Sequence, residues 1–368
     1  MNLRIKFVKT LKALAYVVLA VCFLLYSACD DGEYIEYDNG NDAPNGETNV
    51  PPNTDGNGEI VFETDGCFSV HFIDVGEGDA ILIDFADGKT MLIDCGEKTE
   101  SNRNLNAIKN YLDEYTTGGT LNYFILTHPD SDHVGNAAAI LTDYKVETAY
   151  IPRLSQPQNF QPYCDAYSII NTARQAGIMT RVYSEVGKTV CGDDYYLVFL
   201  SPDNYMDEDS AYYKVNSSAD PSADDINNVS PVIYLDYKGV RFIFTGDAGF
   251  SQEKVALNNV DTGLVYGYLK NKQKPNVNFT DIDFLKVSHH GSSDASGTEF
   301  LQRITPKNAV ISVSGDNVYG FPKDATLSRI LAANENCEFY LTSVVGTVSV
   351  FVNEDGQTMV KTDADAAA

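Results

Sequence analysis

The sequence predicts an α+β protein, in which β-strands and α-helices form separate layers. Strand-type runs occur in series at both ends of the folded region, and helix-type patterns lie between them. Hydrophobic residues make up 43% of the 368 residues, which is enough to bury a sizeable core. This order of elements fits an α+β (α/β) layered fold better than a doubly wound parallel sheet.

The first 29 residues have the pattern of a bacterial signal peptide. Four basic residues within positions 1–12 precede the apolar run "ALAYVVLAVCFLLYSAC", which ends in small residues and Cys29. The stretch "LLYSAC" resembles a lipobox, although Tyr26 stands where that motif usually has leucine. We expect Cys29 to be lipidated and to anchor the protein at the extracellular face of the cytoplasmic membrane. An ordinary secretory signal and an uncleaved anchor helix are the alternatives, and each places the rest of the chain outside the membrane.

Residues 30–65 are predicted to form an acidic, disordered linker. This segment has 11 acidic residues, no lysine or arginine, and many glycine, asparagine and proline residues. Such a composition cannot bury enough apolar surface to offset the entropy lost on ordering. The whole chain has a net charge of -26, which argues against a simple charge-driven grip on nucleic acid or anionic lipid.

The folded domain is predicted over residues 66–355, followed by a C-terminal tail over 356–368. It begins with three strand-type runs, "FSVHFIDV", "AILIDF" and "TMLIDCG", which Gly-rich and Asp-Gly turns separate as in antiparallel strands. Next come a helix, "NLNAIKNYLDEY", with Leu105, Ile108 and Leu112 at helical spacing, and the strand "LNYFILTH".

The remaining elements continue the mixed pattern. Strands are predicted at "VETAYIPR", "DYYLVFLSP", "SPVIYLDYKGVRFIFTGD", "DFLKVSHHGS", "NAVISVSG", "CEFYLTS" and "GTVSVFVN". Helices are predicted around "DAYSIINTARQAG" and "DATLSRILAAN". Residues 203–228 and 259–281 are least like regular elements and are predicted as long loops.

A dense polar cluster follows one of these strands, in "FILTHPDSDHVGN". The chain leaves an apolar run and turns at a proline, so that His128, Asp130, Asp132 and His133 can point into one small volume. Two imidazoles and two carboxylates suit a divalent ion such as Zn²⁺ or Mn²⁺. A single histidine at a strand end is more often structural, but a cluster of this density would be costly without a partner for its charges.

Two further strands end abruptly in residues that bind metals. "VRFIFTGDAG" ends at Asp247, and "IDFLKVSHHGS" ends at His289 and His290. Four of the five histidines therefore lie at strand ends, whereas His71 lies inside a strand-type run and is interpreted as structural. The predicted metal ligands are His128, Asp130, Asp132, His133, Asp247, His289 and His290.

These motifs resemble those of the metallo-β-lactamase superfamily. Asp94 of "LIDCG", the "HPDSDH" cluster, "TGD" and "HHGS" match its ordered motifs across nearly the whole folded region. More narrowly, "FIDVGEGDAILI", "LTHPDSDHVGN" and "LKVSHHGS" are similar to the extracellular hydrolase domain of ComEC-type DNA-uptake channels. The resemblance implies that residues 67–352 form one four-layer αβ/βα metallo-β-lactamase sandwich, with the site at one edge between the two sheets.

The resemblance also implies one or two metal ions, Zn or Mn, with unequal sites. The superfamily usually has histidine where Asp130 stands, and another histidine where this chain has "INNVS" around Asn228 and Ser230. The set of Asp132, His133 and one of His289 or His290, with Asp247 bridging, is intact. We therefore expect one well-held ion and a second that is weakly bound or Mn²⁺-like.

A third departure lies in "NVYGFPKDATL", where the ComEC-like pattern commonly has a histidine-rich segment. Phe321 and Lys323 take those places. Lys323 is either a phosphate-binding residue or a surface lysine in a turn.

The mechanism that the resemblance implies is hydrolysis by a metal-bound hydroxide. Asp132 would bind metal and orient the attacking water, and Asp94 would hold the metal loop through hydrogen bonds. Whichever of His289 and His290 does not bind metal would protonate the leaving group. Asp132 and His290 are the predicted catalytic residues.

The predicted function is that of an exported metal-dependent hydrolase, a phosphodiesterase or nuclease-like enzyme acting on a phosphoester. The alternative is a cell-surface phosphorylcholine-type esterase, or another ester or lactone hydrolase, acting on a cell-wall or lipid headgroup. The acidic charge favours the alternative, because a DNA-binding domain should show a basic stripe. The nearest such cluster is Lys270, Lys272 and Lys274. A catalytically silent binding protein is a third possibility, which the filled ligand set disfavours.

Overall fold

The computed structural model describes residues 62–156, 159–203, 208, 210–218 and 220–366. The predicted signal peptide and the predicted linker up to residue 61 lie outside the described residues. Among the residues that are described, no helix combines the length and the apolar character that crossing a membrane requires.

The first sheet has eight strands in the order β15-β14-β1-β2-β3-β4-β5-β6. Strands β1 to β3 are antiparallel neighbours, as their tight turns predict, and β3 to β6 are parallel. The strands are β1 (Phe68–Phe72), β2 (Ile81–Asp84), β3 (Thr90–Ile93), β4 (Thr120–Ile125), β5 (Lys145–Ile151), β6 (Thr180–Tyr183), β14 (Val348–Val352) and β15 (Thr358–Thr362).

The second sheet has seven strands in the order β13-β12-β11-β10-β9-β8-β7. Strands β7 to β10 are antiparallel, and β10 to β13 are parallel. The strands are β7 (Thr189–Cys191), β8 (Tyr195–Phe199), β9 (Ile233–Tyr237), β10 (Val240–Phe244), β11 (Phe284–Lys286), β12 (Asn308–Ile311) and β13 (Glu338–Leu341).

Helices cover the outer faces of both sheets. They are α1 (Arg103–Tyr115), α2 (Ser131–Val134), α3 (Ala137–Asp143), α4 (Tyr163–Gln175), α5 (Ala211–Ser217), α6 (Ala223–Asn227), α7 (Phe250–Asp261), α8 (Leu264–Lys270), α9 (Thr298–Ile304), α10 (Asp324–Ala333), α11 (Thr342–Val345) and α12 (Asp363–Ala366). In α1, the buried Ile108 and Leu112 lie on one face, as helical periodicity predicts.

The layers follow from the alternation of side chains along each strand. In β3, Met91 and Ile93 belong to the apolar cluster between the two sheets, whereas Leu92 packs in the cluster beneath the helices of the first sheet. In β10, Phe242 faces the middle cluster and Ile243 faces the helices of the second sheet. Because both faces of each sheet are covered, the strand sequences are nearly continuous runs of apolar residues. The predicted four-layer sandwich is confirmed, and its two halves share one core.

Three segments depart from the expectations. The tail predicted over residues 356–368 is wrong for 358–362, because β15 pairs with β14 and extends the first sheet. The segment 203–228, predicted as a loop, contains helices α5 and α6 within its described residues. The segment 259–281 contains the end of α7 and all of α8.

The parallel strands bring the predicted ligand motifs to one edge. Strands β3, β4, β10 and β11 each end just before Asp94, His128, Asp247 and His289, respectively. Parallel strands end on the same side of a sheet, and the two sheets pack face to face. Segments far apart in sequence therefore converge at one site.

Candidate active site

The loop after β4 contributes two buried imidazoles. Asp130, which has extended backbone angles, precedes the one-turn helix α2, and His133 lies within that helix. His128 and His133 are fully buried, and their ring centroids are 4.2 Å apart. The turn places Asp130 and Asp132 at the more exposed side of the same cluster.

Asp94 orients His133. The Asp94 Oδ2 atom is 2.8 Å from His133 Nδ1, and the same carboxylate accepts hydrogen bonds from the Thr127 backbone N–H and hydroxyl. A proton held on Nδ1 leaves the Nε2 lone pair free for the centre of the cluster. This geometry is the one predicted for Asp94, a residue that holds the loop rather than binding metal.

Asp247 lies at the centre of the ligand set. Its Oδ1 atom is 3.2 Å from His133 Nε2, and its Oδ2 atom is 4.0 Å from His128 Nε2 and 3.5 Å from His290 Nε2. The preceding Gly246 has a φ of 50°, and a Cβ there would lie 3.0 Å from Thr127 Oγ1. Glycine therefore allows the strand end to approach the histidine loop closely.

His290 belongs to the buried cluster. Its Nε2 atom is 3.3 Å from Asp132 Oδ2 and 3.3 Å from His133 Nε2. Its Nδ1 atom is 2.8 Å from the Ser312 carbonyl oxygen, which fixes the ring. His289 and His290 both have positive φ values, so the backbone turns sharply and sends the two side chains in different directions.

His289 lies on the solvent side of Asp247. Its Nε2 atom is 3.8 Å from Asp247 Oδ2, its Nδ1 atom is 3.2 Å from Asp294 Oδ1, and 22% of its side chain is exposed. Asn227 Nδ2 is 3.4 Å from His289 Nε2. Neither Asp294 nor Asn227 was predicted; the only available signal was their closeness in sequence to the "HHGS" and "INNVS" motifs.

The electrostatics match a site built for cations. Burial alone would raise the pKa of Asp247, but the neighbouring His133 and His290 hold it well below its usual range. Burial would likewise lower the pKa of His290, yet Asp247 and Asp132 raise it to about 10. The buried carboxylates thus favour positive charge at the centre of the cluster, which a bound metal ion would supply.

The residues fit divalent ions. Three overlapping groups among the described residues have ligand atoms within 4.8 Å of one another: His128, His133 and Asp247; Asp132, His133 and His290; and Asp79, Asp94 and His133. The first two groups lie on the Nε2 side of His133, whereas Asp79 and Asp94 lie on its Nδ1 side. His128 Nε2 and Asp247 Oδ1 are buried without a hydrogen-bond partner among the described residues. Buried polar atoms of this kind normally have partners, and an ion would supply them. Asp130 Oδ2, 3.7 Å from His128 Nε2, lies at the margin.

The segment that replaces the missing histidine supports the Asp247 loop. Ser230 Oγ accepts a hydrogen bond from the Asp247 backbone N–H, and Asn228 Oδ1 accepts one from the Gly249 N–H. Asn227 rather than Asn228 is the buried neighbour of His289, and its Oδ1 atom has no hydrogen-bond partner among the described residues. Asn227 is thus the oxygen donor available near the first ligand group.

A cavity of about 730 Å³ opens over the cluster. Its lining includes Glu77, Glu97, Asp130, Asp132, Asp224, Asp247, Asp294 and Asp316. The lining has one arginine, Arg103, which is 2.9 Å from Asp74. Tyr319 and Phe321 stack on each other at the rim. Lys323 Nζ donates to the Tyr319 carbonyl oxygen, which favours the structural interpretation of that lysine.

The basic cluster considered in the sequence is not part of this cavity. The cavity lining does not include Lys270, Lys272 or Lys274, and Lys274 Nζ donates to the carbonyl oxygens of Gly192 and Asp193. The described surface around the metal-ligand cluster is therefore acidic, as the negative net charge of the chain indicates.

A family model described as the metallo-beta-lactamase superfamily matches residues 73–315. The chain is 28% identical over 254 residues to ComE operon protein 3 of Bacillus subtilis, a match that covers 66% of this chain and 27% of that protein. It is 27% identical over 242 residues to Recombination protein 2 of Haemophilus influenzae, covering 65% of this chain and 23% of that protein. The chain thus spans about a quarter of the length of these relatives.

Among solved structures, the metallo-beta-lactamase fold protein YhfI from Bacillus subtilis aligns with a TM-score of 0.43 at 10% identity, covering 80% of this chain and 100% of that one. A diphosphatase of the PhnP family aligns with a TM-score of 0.38 at 10% identity, covering 80% and 98%. The family model spans well over half of the sequence and includes every candidate ligand. The chain therefore belongs to the metallo-β-lactamase superfamily, as a metal-dependent hydrolase.

Proposed function

We propose that the protein is an exported phosphodiesterase with nuclease-like chemistry. The observation that carries this proposal is the central carboxylate of Asp247, whose two oxygen atoms lie 3.2–4.0 Å from the Nε2 atoms of His133, His290 and His128. An arrangement of this kind can hold two ions side by side, which suits displacement at phosphorus. The similarity to ComE operon protein 3 and to a protein named for recombination supports the same class of substrate.

We assign the stronger ion site to Asp132, His133, His290 and Asp247. His128, Asp130 and Asp247 form the weaker site, with Asn227 as a further oxygen donor. Divalent ions bound there supply an activated water and positive charge beside the phosphoryl oxygens. The large share of carboxylate ligands favours Mn²⁺ as well as Zn²⁺.

Asp132 and His289 are assigned to the remaining steps of hydrolysis. Asp132, whose carboxylate reaches the cluster from its exposed side, orients the attacking water. His289 protonates the leaving group, because it faces the cavity while Asp294 holds its Nδ1 atom. This assignment moves the role of acid from His290, the residue favoured by sequence, to His289, since His290 Nε2 points into the ligand cluster.

Substrate class is tested by assaying the full chain on three substrates with Mn²⁺ and with Zn²⁺. These substrates are bis-p-nitrophenyl phosphate, p-nitrophenyl phosphorylcholine and plasmid DNA. We expect cleavage of the first and of DNA, and no cleavage by an Asp132→Ala control prepared in parallel. If none of the three substrates is cleaved with either ion, the phosphodiesterase proposal is wrong.

A phosphorylcholine-type esterase is the second candidate. The cavity has eight carboxylate side chains and one arginine, which would repel a long polyanion and attract a cationic group. The exposed aromatic ring of Tyr319 lies at the rim and could contact a quaternary ammonium group through its π-face. A strong preference for p-nitrophenyl phosphorylcholine over bis-p-nitrophenyl phosphate would select this candidate.

We further propose that a lipid on Cys29 anchors the enzyme at the extracellular face of the membrane. Each buried methylene of an acyl chain contributes about 0.8 kcal/mol to membrane binding. Cys29→Ala should therefore release the protein from the membrane fraction or block its processing, as fractionation and immunoblotting would reveal. Equal membrane retention of the processed wild-type and mutant proteins would rule the anchor out.

A further inference from the structure

Asp79 and Lys286 form an ion pair in the interior beside the ligand cluster. Lys286 Nζ is 2.7 Å from Asp79 Oδ2, and the two side chains are 0% and 1% exposed, respectively. Asp79 lies just before β2 in the first sheet, and Lys286 is the last residue of β11 in the second sheet. The pair therefore joins the two sheets directly beneath the site.

Asp79 lies near two of the ligand histidines. Its Oδ2 atom is 4.0 Å from His133 Nδ1, and its Oδ1 atom is 3.9 Å from His290 Nδ1. Its Oδ1 atom is buried without a hydrogen-bond partner among the described residues. Its charge thus acts on the same imidazoles that face the metal position.

Lys286 is the fully buried partner of Asp79 in the same region. Its Nζ atom also donates to the Val287 carbonyl oxygen at a distance of 3.0 Å, so its hydrogen bonds fix it in place. A buried charge pair is often no more stabilising than apolar side chains of similar volume. Folding stability therefore gives little reason to place a lysine next to cation ligands, where its charge opposes the binding of a divalent ion.

We propose that Asp79 and Lys286 are positioning residues that set the charge of the metal centre with opposite signs. Asp94 and the Ser312 carbonyl oxygen hold the Nδ1 atoms of the two histidines, and the Asp79 carboxylate, 3.9–4.0 Å from them, strengthens metal binding through its nearby negative charge. Lys286 offsets the negative charge of Asp79 and so opposes its effect on metal binding. The proposal concerns metal affinity and does not depend on which ester is hydrolysed.

The test is a double-mutant cycle on the full chain, with Mn²⁺ affinity measured by titration calorimetry. Asp79 is not hydrogen-bonded to either imidazole, so we expect Asp79→Asn to weaken Mn²⁺ binding by about 10-fold, the lower end of the range for hydrogen-bonded outer partners. Lys286→Met should shift the affinity in the opposite direction, to tighter binding. If the two residues only supported the fold, both substitutions would weaken Mn²⁺ binding. Shifts of opposite sign therefore indicate an effect of charge.

The control is Lys307→Met, which removes a lysine that also forms a 2.7 Å ion pair, with Asp283 at the other end of β11. It should leave Mn²⁺ affinity unchanged. Each substitution is measured twice in the cycle, once in the wild-type protein and once in the presence of the other substitution. If one single variant fails to fold, the double variant Asp79→Asn/Lys286→Met compared with the remaining single variant still gives the effect of the missing substitution. Shifts of the same sign, or no shift for either substitution, would overturn the proposal.

Discussion

Asp132→Ala and Asp247→Ala are expected to abolish hydrolysis at every Mn²⁺ or Zn²⁺ concentration. Both carboxylates contact His290 Nε2 within 3.5 Å, and Asp247 also reaches His133 and His128. Without a correctly held ion, the pKa of the attacking water returns from about 7 towards ~15.7, which lowers the rate by several orders of magnitude. Raising the metal concentration cannot replace a missing central ligand.

Asp130→Ala should behave differently and recover part of its activity as metal is added. The Asp130 side chain is 44% exposed and lies 3.7 Å from His128 Nε2, so its loss removes one ligand of the proposed weaker site and leaves His128 and Asp247 in place. Metal content measured by plasma mass spectrometry should fall in the two central mutants and return at high metal in Asp130→Ala. Asp316→Ala removes a carboxylate that lines the cavity outside the three ligand groups, and serves as the matched control.

Equal and unrecoverable losses in all three variants would contradict the division into a strong and a weak site. Wild-type protein would then contain two tightly bound equivalents of metal. Asn227, whose buried Oδ1 atom has no partner among the described residues, would be the first candidate to complete the second set.

The ligand cluster could be predicted because each ligand follows an apolar strand. Strand ends are visible in sequence, and parallel pairing brings the ends of β10 and β11 together within the second sheet. The convergence of these ends with that of β4 in the first sheet was expected from the family resemblance. The ion pair of Asp79 and Lys286 could not be predicted in the same way. The two residues of the pair belong to different sheets, and in the sequence each is a single polar residue beside an apolar run.

The missed elements have weak apolar patterns. β15 is an edge strand with exposed and half-buried residues, so its sequence "TMVKT" lacks a buried face. Helix α6 is short, but the residues at its start have a pattern that indicates a helix N-terminus. Ser222 accepts a hydrogen bond from the Asp225 N–H, and the Asp225 side chain accepts one from the Ser222 N–H, which forms a capping box.

The roles of His289 and His290 could not be separated by sequence either. The two residues are adjacent, and both have positive φ values that no local pattern announces. Their surroundings differ instead, since His290 Nδ1 meets the Ser312 carbonyl oxygen and His289 Nδ1 meets Asp294. Tertiary partners, rather than the "HHGS" motif, support the proposed roles of His290 as ligand and His289 as acid.

His290→Ala should therefore lose metal and activity together, whereas His289→Ala should keep its metal and lose turnover. General acid catalysis typically contributes about 10²–10⁴-fold, and we expect a decrease of that size in kcat for His289→Ala with an ester whose leaving group needs a proton. With bis-p-nitrophenyl phosphate, whose leaving group departs as a stable anion, the decrease should be much smaller.

The difference in the decrease of kcat between the two substrates distinguishes a general acid from a metal ligand. A ligand mutation lowers both rates equally, because it removes the ion that both reactions need. Asp294→Asn is a milder companion variant, since it keeps the shape of the residue that holds His289 Nδ1 but removes its charge. It should show the same dependence on leaving group to a smaller degree. If His289→Ala loses metal, or slows both substrates alike, His289 is a ligand and the acid must be sought elsewhere in the cavity.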